Sequence, residues 1–292
     1  MEWWQAIILG LVEGITEYLP VSSTGHLIIA SSLMGLDDPA ERHAINAFNI
    51  VIQGGAILAV IGLYWPSIWR MLRGLAGKDQ GGLRLALAIL VAFAPAAVLG
   101  VLLEPVIERH LFSLGPVVLA LALGGVLMIG LDRRIIAPGR LSERPGPMRG
   151  TTDVTLKQAL VIGVIQCFAM WPGMSRSMMT ICGGVLVGLR PRQAAEFSFL
   201  LGLPTLGGAT VYKLYKNLHE SKQHGVPNLF ETLGWSNVML GMLVAMIAAA
   251  IAVKWLVRFL NRHGLEPFGW YRLCVAAVLL ALGVAGVVRV VA

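Results

Sequence analysis

Along this chain the hydrophobic residues come in unbroken blocks, not in the short alternating runs of a soluble domain. Six blocks are long enough to cross a hydrocarbon layer of roughly 30 Å as helices. They run from Asn46 to Tyr64, Leu85 to Leu103, Leu114 to Leu131, Ala194 to Tyr212, Ser236 to Val253 and Leu273 to Val288. Five hold no charged residue, and the fourth holds Glu196 alone. Two further apolar regions, Trp3 to Leu36 and Gln158 to Leu189, are interrupted at Leu19-Pro20-Val21-Ser22-Ser23 and at Trp171-Pro172-Gly173-Met174-Ser175. Each half is short for a span, and each break contains a helix-stopping proline. The pattern predicts helices that dip into a membrane, turn at Pro and Ser, and return to their own side. Backbone that is not helical at such depth must be buried in protein or line a wet cavity.

The two interrupted regions resemble each other. Gly10-Leu11-Val12-Glu13 matches Gly163-Val164-Ile165-Gln166, Pro20 to Ser23 matches Pro172 to Ser175, and Met34-Gly35-Leu36 matches Val187-Gly188-Leu189. A phenylalanine-led span follows each, from Phe48 and from Phe197. The expected fold is an all-α polytopic membrane protein, one membrane domain over 1–292. It consists of two repeats, about 1–132 and 155–292, joined by a basic loop at 133–154. Each repeat is a re-entrant helical hairpin plus three transmembrane helices. Three spans per repeat is an odd number, so the repeats should have inverted topology.

Charge then sets the orientation. The loops 65–84, 132–157, 190–192 and 254–272 hold 16 of the 23 Lys and Arg residues, whereas 37–43, 104–109 and 213–235 hold five. The positive-inside rule makes the first group cytoplasmic. Both termini and the first hairpin are then outside, the second hairpin lies inside, and the two tips meet near the midplane, as in inverted-repeat transporters.

Composition adds constraints. The chain is 57% hydrophobic and 13% charged, where soluble domains carry about 25% charged residues. The net charge of +7 sits in connecting loops, where it sets topology and meets anionic headgroups, so nucleic acid is not an expected partner. Met1 to Leu19 carries three glutamates and lacks a basic start, unlike a cleavable signal peptide. Cys167, Cys182 and Cys274 lie in apolar stretches without metal-ligand spacing, and no disulfide is expected. Trp3, Trp4, Trp65, Trp69 and Trp235 fit an interfacial belt.

Candidate chemistry concentrates in the two broken regions. With tyrosine set aside, the first holds Glu13, Glu17 and His26; the charged residue of the second is Arg176. Isolated charges in apolar surroundings are costly and default to functional candidates. Glu13 and Glu17 share one helical face at i, i+4; Ser23 and His26 sit at i, i+3 just past the break. Each break also places hydroxyls at the start of a returning helix, where free N–H groups favour phosphate. These are Ser22, Ser23 and Thr24 in one hairpin and Ser175, Ser177 and Thr180 in the other. Arg176 can grip two phosphate oxygens at once, and a divalent cation or a proton should offset the two carboxylates. Plainer explanations exist: hydroxyls often only cap helices, the glutamates could form a structural polar cluster, Arg176 could be their counter-ion, and His26 could be a packing histidine.

The stretch Glu13-Gly14-Ile15-Thr16-Glu17-Tyr18-Leu19-Pro20-Val21-Ser22-Ser23-Thr24-Gly25-His26 closely resembles the glutamate-rich signature of the bacitracin-resistance type undecaprenyl-diphosphate phosphatases. Pro172-Gly173-Met174-Ser175-Arg176-Ser177-Met178-Met179-Thr180 looks like that family's second signature. Both are complete, and the similarity extends through Phe48 to Ala59 and Ala195 to Leu201, over essentially the whole chain. The resemblance implies a bacterial inner-membrane enzyme, dependent on Mg or Ca, that converts undecaprenyl diphosphate to undecaprenyl phosphate. Such an enzyme regenerates the carrier lipid for peptidoglycan and is associated with bacitracin resistance; its site opens toward the periplasm.

The expected mechanism is attack on the terminal phosphorus by Ser23 with Glu17 as general base. Arg176 neutralises the transferred phosphoryl group, and His26 protonates the leaving lipid phosphate or positions the clearing water. Ser22, Thr24, Ser175, Ser177 and Thr180 contact the substrate, and Glu13 with Glu17 holds the cation. His26 as nucleophile is an open alternative. The expected partners are the polyprenyl diphosphate lipid and the surrounding membrane lipids, with a homo-oligomer left open. The competing class is a lipid-phosphate flippase, since inverted repeats with broken helices are also a transporter architecture. A membrane scaffold would explain none of the buried charges.

Overall fold

In the computed structural model the described residues are 1–36, 42–111, 113–136, 151–225 and 227–287. Most of the basic loop expected at 133–154, the loop at 37–41 and the end of the sixth expected span at Val288 lie outside them.

Among the described residues the chain is helical, with no strand. The first broken region gives α1 (Trp3–Thr16) and α2 (Ser23–Leu33); the second gives α7 (Leu156–Gln166), a 3-10 turn over Cys167–Met170, and α8 (Arg176–Leu186). Between them come α3 (Arg42–Leu63), α4 (Trp65–Leu75), α5 (Gln80–Leu111) and α6 (Leu114–Leu131). After them come α9 (Pro191–His224), the short α10 (Leu229–Leu233), α11 (Trp235–His263) and α12 (Glu266–Val284). Six helices (α3, α5, α6, α9, α11 and α12) are long and apolar enough to cross a membrane, in the order expected.

Three features differ from the expectation. The stretch 65–84 is not simply a loop: α4 begins with Pro66 in its first turn and exposes Trp65, Trp69, Leu72 and Leu75, the amphipathic pattern of an interfacial helix. The last span starts at Glu266, seven residues before the expected Leu273. Its first turn is fixed because the Asp132 carboxylate accepts from the backbone N–H groups of Leu265 and Glu266. That brings Arg272, expected in a cytoplasmic loop, inside a helix and wholly out of contact with solvent. A hydropathy reading excludes an arginine from a span unless something satisfies its charge, and here backbone carbonyls do.

The broken helices dock through small residues, which let backbones touch where apolar burial alone gives little net attraction. On α1, a Cβ added at Gly10 would lie 2.6 Å from the Gly241 carbonyl oxygen of α11. On α7, a Cβ at Gly163 would lie 2.3 Å from the Ala92 oxygen of α5. The pair α6 and α12 crosses at Gly125 and Gly269, each glycine against the other's carbonyl. Each broken region is closed the same way. The Gln5 side-chain amide donates to the Met34 carbonyl at 3.3 Å, and the Gln158 amide donates to the Val187 carbonyl at 3.0 Å, both across 29 residues.

At the breaks themselves, Ser22 and Ser175 have φ of 74° and 71°, the two non-glycine residues with positive φ among the described residues. Such backbone costs on the order of 1–3 kcal/mol and persists only where the surroundings impose it. Each serine caps the returning helix: Ser22 accepts from the Gly25 N–H at 3.5 Å, and Ser175 from the Met178 N–H at 3.3 Å. The caps therefore pair Ser22 with Ser175 and Ser23 with Arg176. The register read from the prolines, with Ser23 opposite Ser175, is one residue out: the caps keep the offset that pairs Gly10 with Gly163 and Met34 with Val187, and it is Pro172 that stands one place early relative to Pro20.

Candidate active site

The two breaks meet. Leu19, in the first break, offers its carbonyl oxygen to the Ser177 hydroxyl of α8 at 2.8 Å. Across this junction Ser23 donates its hydroxyl proton to Glu17 Oε2 at 2.7 Å, and Arg176 Nη2 donates to Glu17 Oε1 at 3.1 Å. One carboxylate thus holds a serine from its own hairpin and an arginine from the other, 159 residues away. Glu17 is 6% exposed and the Arg176 side chain 10%. Removing either partner of so buried a pair typically costs about 3–5 kcal/mol.

Arg176 is held on all sides. Nη1 donates to the Ser198 carbonyl at 2.9 Å and to its hydroxyl at 3.3 Å. The guanidinium carbon stands 5.4 Å from the centre of the Tyr18 ring, a cation–π distance. A Cβ at Gly202 would come within 3.1 Å of the guanidinium, so that glycine makes its room. Arg176 Nε, by contrast, is buried with no partner. A buried unpaired donor on a guanidinium is costly, and an anion oxygen is the natural acceptor for it.

Of the other expected residues, Thr180 hydrogen-bonds the Ser198 hydroxyl at 2.6 Å and donates to the Arg176 carbonyl at 2.8 Å, and Ser175 meets the Ser177 hydroxyl at 3.0 Å. These hydroxyls shape the second hairpin and its arginine. Thr24 lies in the first turn of α2, half-buried. Glu13 is almost fully buried one helical turn before Glu17; its side chain hydrogen-bonds Gln53 of α3, and Oε1 has no partner. Two acidic oxygens beside an amide are hard donors. Among the described residues no three His, Cys, Asp or Glu cluster together, so the protein offers a partial set. That fits magnesium or calcium, which is commonly held by one or two carboxylates with substrate phosphates and water completing the shell.

His26 turns away from Ser23. Its Nδ1 lies 2.8 Å from the Ser22 carbonyl and its Nε2 2.7 Å from the Tyr271 hydroxyl. A carbonyl only accepts, so Nδ1 carries a proton; in the neutral ring Nε2 then accepts from Tyr271. The two rings are stacked, 4° from parallel. The group within reach of the Ser23 proton is Glu17, not His26.

The family model described as Bacitracin resistance protein BacA matches residues 6–278. The chain belongs to the BacA family. Its similarity to individual members runs nearly end to end. It is 45% identical over 284 residues to the undecaprenyl-diphosphatase of Sorangium cellulosum (strain So ce56), covering 97% of this chain and 87% of that protein. To the undecaprenyl-diphosphatase of Polaromonas sp. (strain JS666 / ATCC BAA-500) it is 42% identical over 289 residues, covering 97% and 96%. To that of Paracoccus denitrificans (strain Pd 1222) it is 41% identical over 280 residues, covering 95% and 96%. With six helices fit to span, this BacA-family chain is a multi-pass membrane protein.

Four residues of this BacA-family site escape a reading of charge and motif. Ser198 lies in an apolar span and works through its carbonyl as much as its hydroxyl. Tyr18 sits inside the first motif, but as a ring beneath the guanidinium. Tyr271 and Arg272 were counted with a basic loop. Tyrosines near charged breaks and arginines at span edges are the signals that could have found the last two.

Proposed function

We propose that this chain hydrolyses undecaprenyl diphosphate to undecaprenyl phosphate and inorganic phosphate, recycling the carrier lipid for cell-wall synthesis and conferring bacitracin resistance. The observation that carries this reading is Glu17: one oxygen on the Ser23 hydroxyl and the other on Arg176 of the opposite hairpin. A serine hydroxyl needs a neighbour to take its proton before it attacks, and a phosphoryl group needs a fixed cation at hand.

In the reaction the Ser23 oxygen forms a bond to the terminal phosphorus as its proton passes to Glu17. The bond from that phosphorus to the bridging oxygen breaks, and undecaprenyl phosphate leaves with the electron pair. Once Glu17 has passed that proton, directly or through His26, to the departing lipid phosphate, it takes a proton from water. The water oxygen bonds to phosphorus, the bond from phosphorus to the serine oxygen breaks, inorganic phosphate leaves, and Glu17 returns the proton to Ser23. Arg176, with Nε free for an oxygen, stabilises charge in both steps, joined by N–H groups at the starts of α2 and α8. His26, fixed by Ser22 and Tyr271, positions the water or returns a proton to the leaving group. Ser22, Thr24, Ser175, Ser177 and Thr180 line or shape the anion pocket. A magnesium or calcium ion on Glu13 and Glu17 would offset their repulsion of the substrate and draw charge from the phosphate oxygens.

The finer architecture follows the same reading. The two broken regions are re-entrant hairpins of inverted repeats, supported by the paired Ser22 and Ser175 caps, the paired Gln5 and Gln158 closures, and the exchange by which α1 packs on α11 and α7 on α5. Moving Arg272 out of the loops leaves fifteen basic residues against five, so the asymmetry still supports a reading in which both termini lie on the periplasmic side of the inner membrane, the side to which the site opens. The prenyl tail lies along the apolar spans. A cavity of about 320 Å³ beside the first break, walled by Ile15, Leu19, Val21, Trp255, Phe259 and Phe268, offers one such surface.

The test is phosphate release from undecaprenyl diphosphate by purified protein in detergent, with and without a chelator, for the native chain, Ser23→Ala and Arg176→Ala. Cation-dependent release that is lost in both variants is expected. A well-folded native chain that releases nothing removes the enzymatic reading and favours a lipid-phosphate flippase.

A further inference from the structure

Among the described residues Arg272 is the largest side chain wholly sealed from solvent, at 0% exposed. Its hydrogen bonds go to backbone carbonyls of three elements. Nη2 donates to Gly173 at 2.8 Å and to Ala120 at 3.1 Å, Nε to Leu121 at 3.3 Å, and Nη1 to Pro20 at 3.5 Å. Pro20 is the proline of the first break, and Gly173 follows the proline of the second. The guanidinium therefore touches both breaks and α6 at once.

The surroundings are built for it. A Cβ at Gly124 of α6 would sit 2.4 Å from Nη2, so only glycine leaves the guanidinium its seat. Gly173 has φ of +95°, and a Cβ there would meet the Val117 carbonyl at 2.6 Å; the carbonyl that Arg272 grips is thus presented by backbone that disfavours any other residue. Burying a guanidinium against carbonyls alone is costly unless each contact is kept. A methionine would fill the space without that penalty. What the charge adds is a fixed separation: carbonyls from two hairpins more than 150 residues apart converge on one rigid fork.

We propose that Arg272 is a positioning residue of this site, holding the two breaks in the register at which Glu17 and Ser23 of one hairpin and Arg176 of the other act on a single phosphate. The proposal rests on the phosphatase reading above. It assigns Arg272 no contact with substrate. Loss of its grip lets the breaks shift, and a misplacement near 1 Å can cost about a hundredfold in rate.

The experiment uses the full chain in detergent, with kcat, KM and thermal stability measured for Arg272→Met, Arg272→Lys and Gly124→Ala. Arg272→Met is expected to lower kcat about a hundredfold with KM within about threefold, because the anion contacts survive but their alignment does not. Arg272→Lys should recover part of the loss. Gly124→Ala keeps the charge but pushes the guanidinium from its seat, so it should lower kcat as well, and it carries the test if Arg272→Met does not fold. Adding Gly124→Ala to Arg272→Met should then cost no more than Arg272→Met alone, since the two changes act through one contact. Folded Arg272→Met and Gly124→Ala proteins with native kcat, changed only in thermal stability or KM, would overturn the proposal while leaving the phosphatase intact. A native chain without phosphate release removes the phosphatase reading and this one with it.

Discussion

The first and second hairpins share a backbone and divide the chemistry. Both return through a serine cap at positive φ, both are closed by a glutamine amide on a carbonyl 29 residues on, and both dock by a glycine against a neighbouring carbonyl. In the register set by the caps, Glu13 stands opposite Gln166, Glu17 opposite Met170, Ser23 opposite Arg176 and His26 opposite Met179. The first hairpin carries the groups that can give and take protons, and the second carries the fixed cation. Burial divides in the same way: nine of the eleven residues of α8 are buried, but only Gly25 and Leu27 of α2. A cation that orients a phosphate gains from a rigid, dry seat, whereas a nucleophile must be reached. One shared backbone device thus serves two ends because it constrains only the cap, the closure and the crossing.

The sharpest way to break this division is to disable one hairpin's chemistry at a time. Glu17→Gln removes the base but leaves an oxygen for the Ser23 hydroxyl or for Arg176; kcat is expected to fall by about 10² to 10⁴. Arg176→Lys keeps the charge but loses the fork that reaches Ser198 and Glu17 together, and is expected to cost a comparable factor, about 10³ or more. Steady-state kinetics, with folding checked by gel filtration, decides it. A Glu17→Gln protein with native kcat would show that the first hairpin is not the proton-handling half.

A smaller effect separates His26 from its support. Tyr271→Phe removes the hydroxyl on Nε2 but leaves Nδ1 on the Ser22 carbonyl. One hydrogen bond is worth about 0.5–1.5 kcal/mol, so kcat should drop about two- to tenfold with KM little changed. A His26→Ala background should mask the change completely; additive losses would mean that Tyr271 acts by another route.

Most of the scaffold was legible, and the reason is the bilayer. Six apolar blocks, five of them uncharged, map onto α3, α5, α6, α9, α11 and α12, and prolines with serines mark both breaks, because lipid tolerates little else. The residues Glu17, Ser23 and Arg176 were legible as isolated polar groups, and the structure brings them into one contact chain. What a linear reading misses is whatever depends on three-dimensional satisfaction. Arg272 reads as a loop charge until four carbonyls surround it, Ser198 until its carbonyl meets Arg176, and α4 until Trp65, Trp69 and Leu72 are seen on one side. The register of the second hairpin escaped for a similar reason: Pro172 stands one place earlier in its break than Pro20 does in the first, so aligning the motif letters misaligns the caps.

The caps allow the shared backbone to be tested apart from the divided chemistry. Ser22→Ala and Ser175→Ala each remove one side-chain cap while keeping the positive φ, and each is expected to destabilise by about 1 kcal/mol. If the hairpins are one device, the two losses of thermal stability in detergent should be similar, and both should also lower turnover, since each break presents N–H groups to the phosphate. A large loss at one and none at the other would undo the equivalence.

The smallest effect belongs to a cap outside both hairpins. Asp79 Oδ1 accepts from the Gly82 N–H at 2.7 Å at the start of α5, and Oδ2 accepts from Arg70 of α4 at 3.1 Å. The Gly82 N–H and then the Arg70 guanidinium hold this carboxyl below its ordinary range. A carboxyl with a depressed folded pKa contributes stability above its unfolded value, about 3.9, and loses it as the pH falls from there through the lower folded value. Asp79→Asn should therefore lower the thermal midpoint slightly at neutral pH, and the difference from the native chain should close in acid below about pH 4. Because the partners of Asp79 lie around the α4–α5 turn and not at the breaks, turnover should not change. That contrast gives the serine caps their meaning: a cap lost at α5 costs a little stability alone, whereas a cap lost at either break costs turnover as well. An Asp79→Asn chain with impaired turnover would mean that any loosened helix start disturbs the site, and the special standing of the two breaks would be lost.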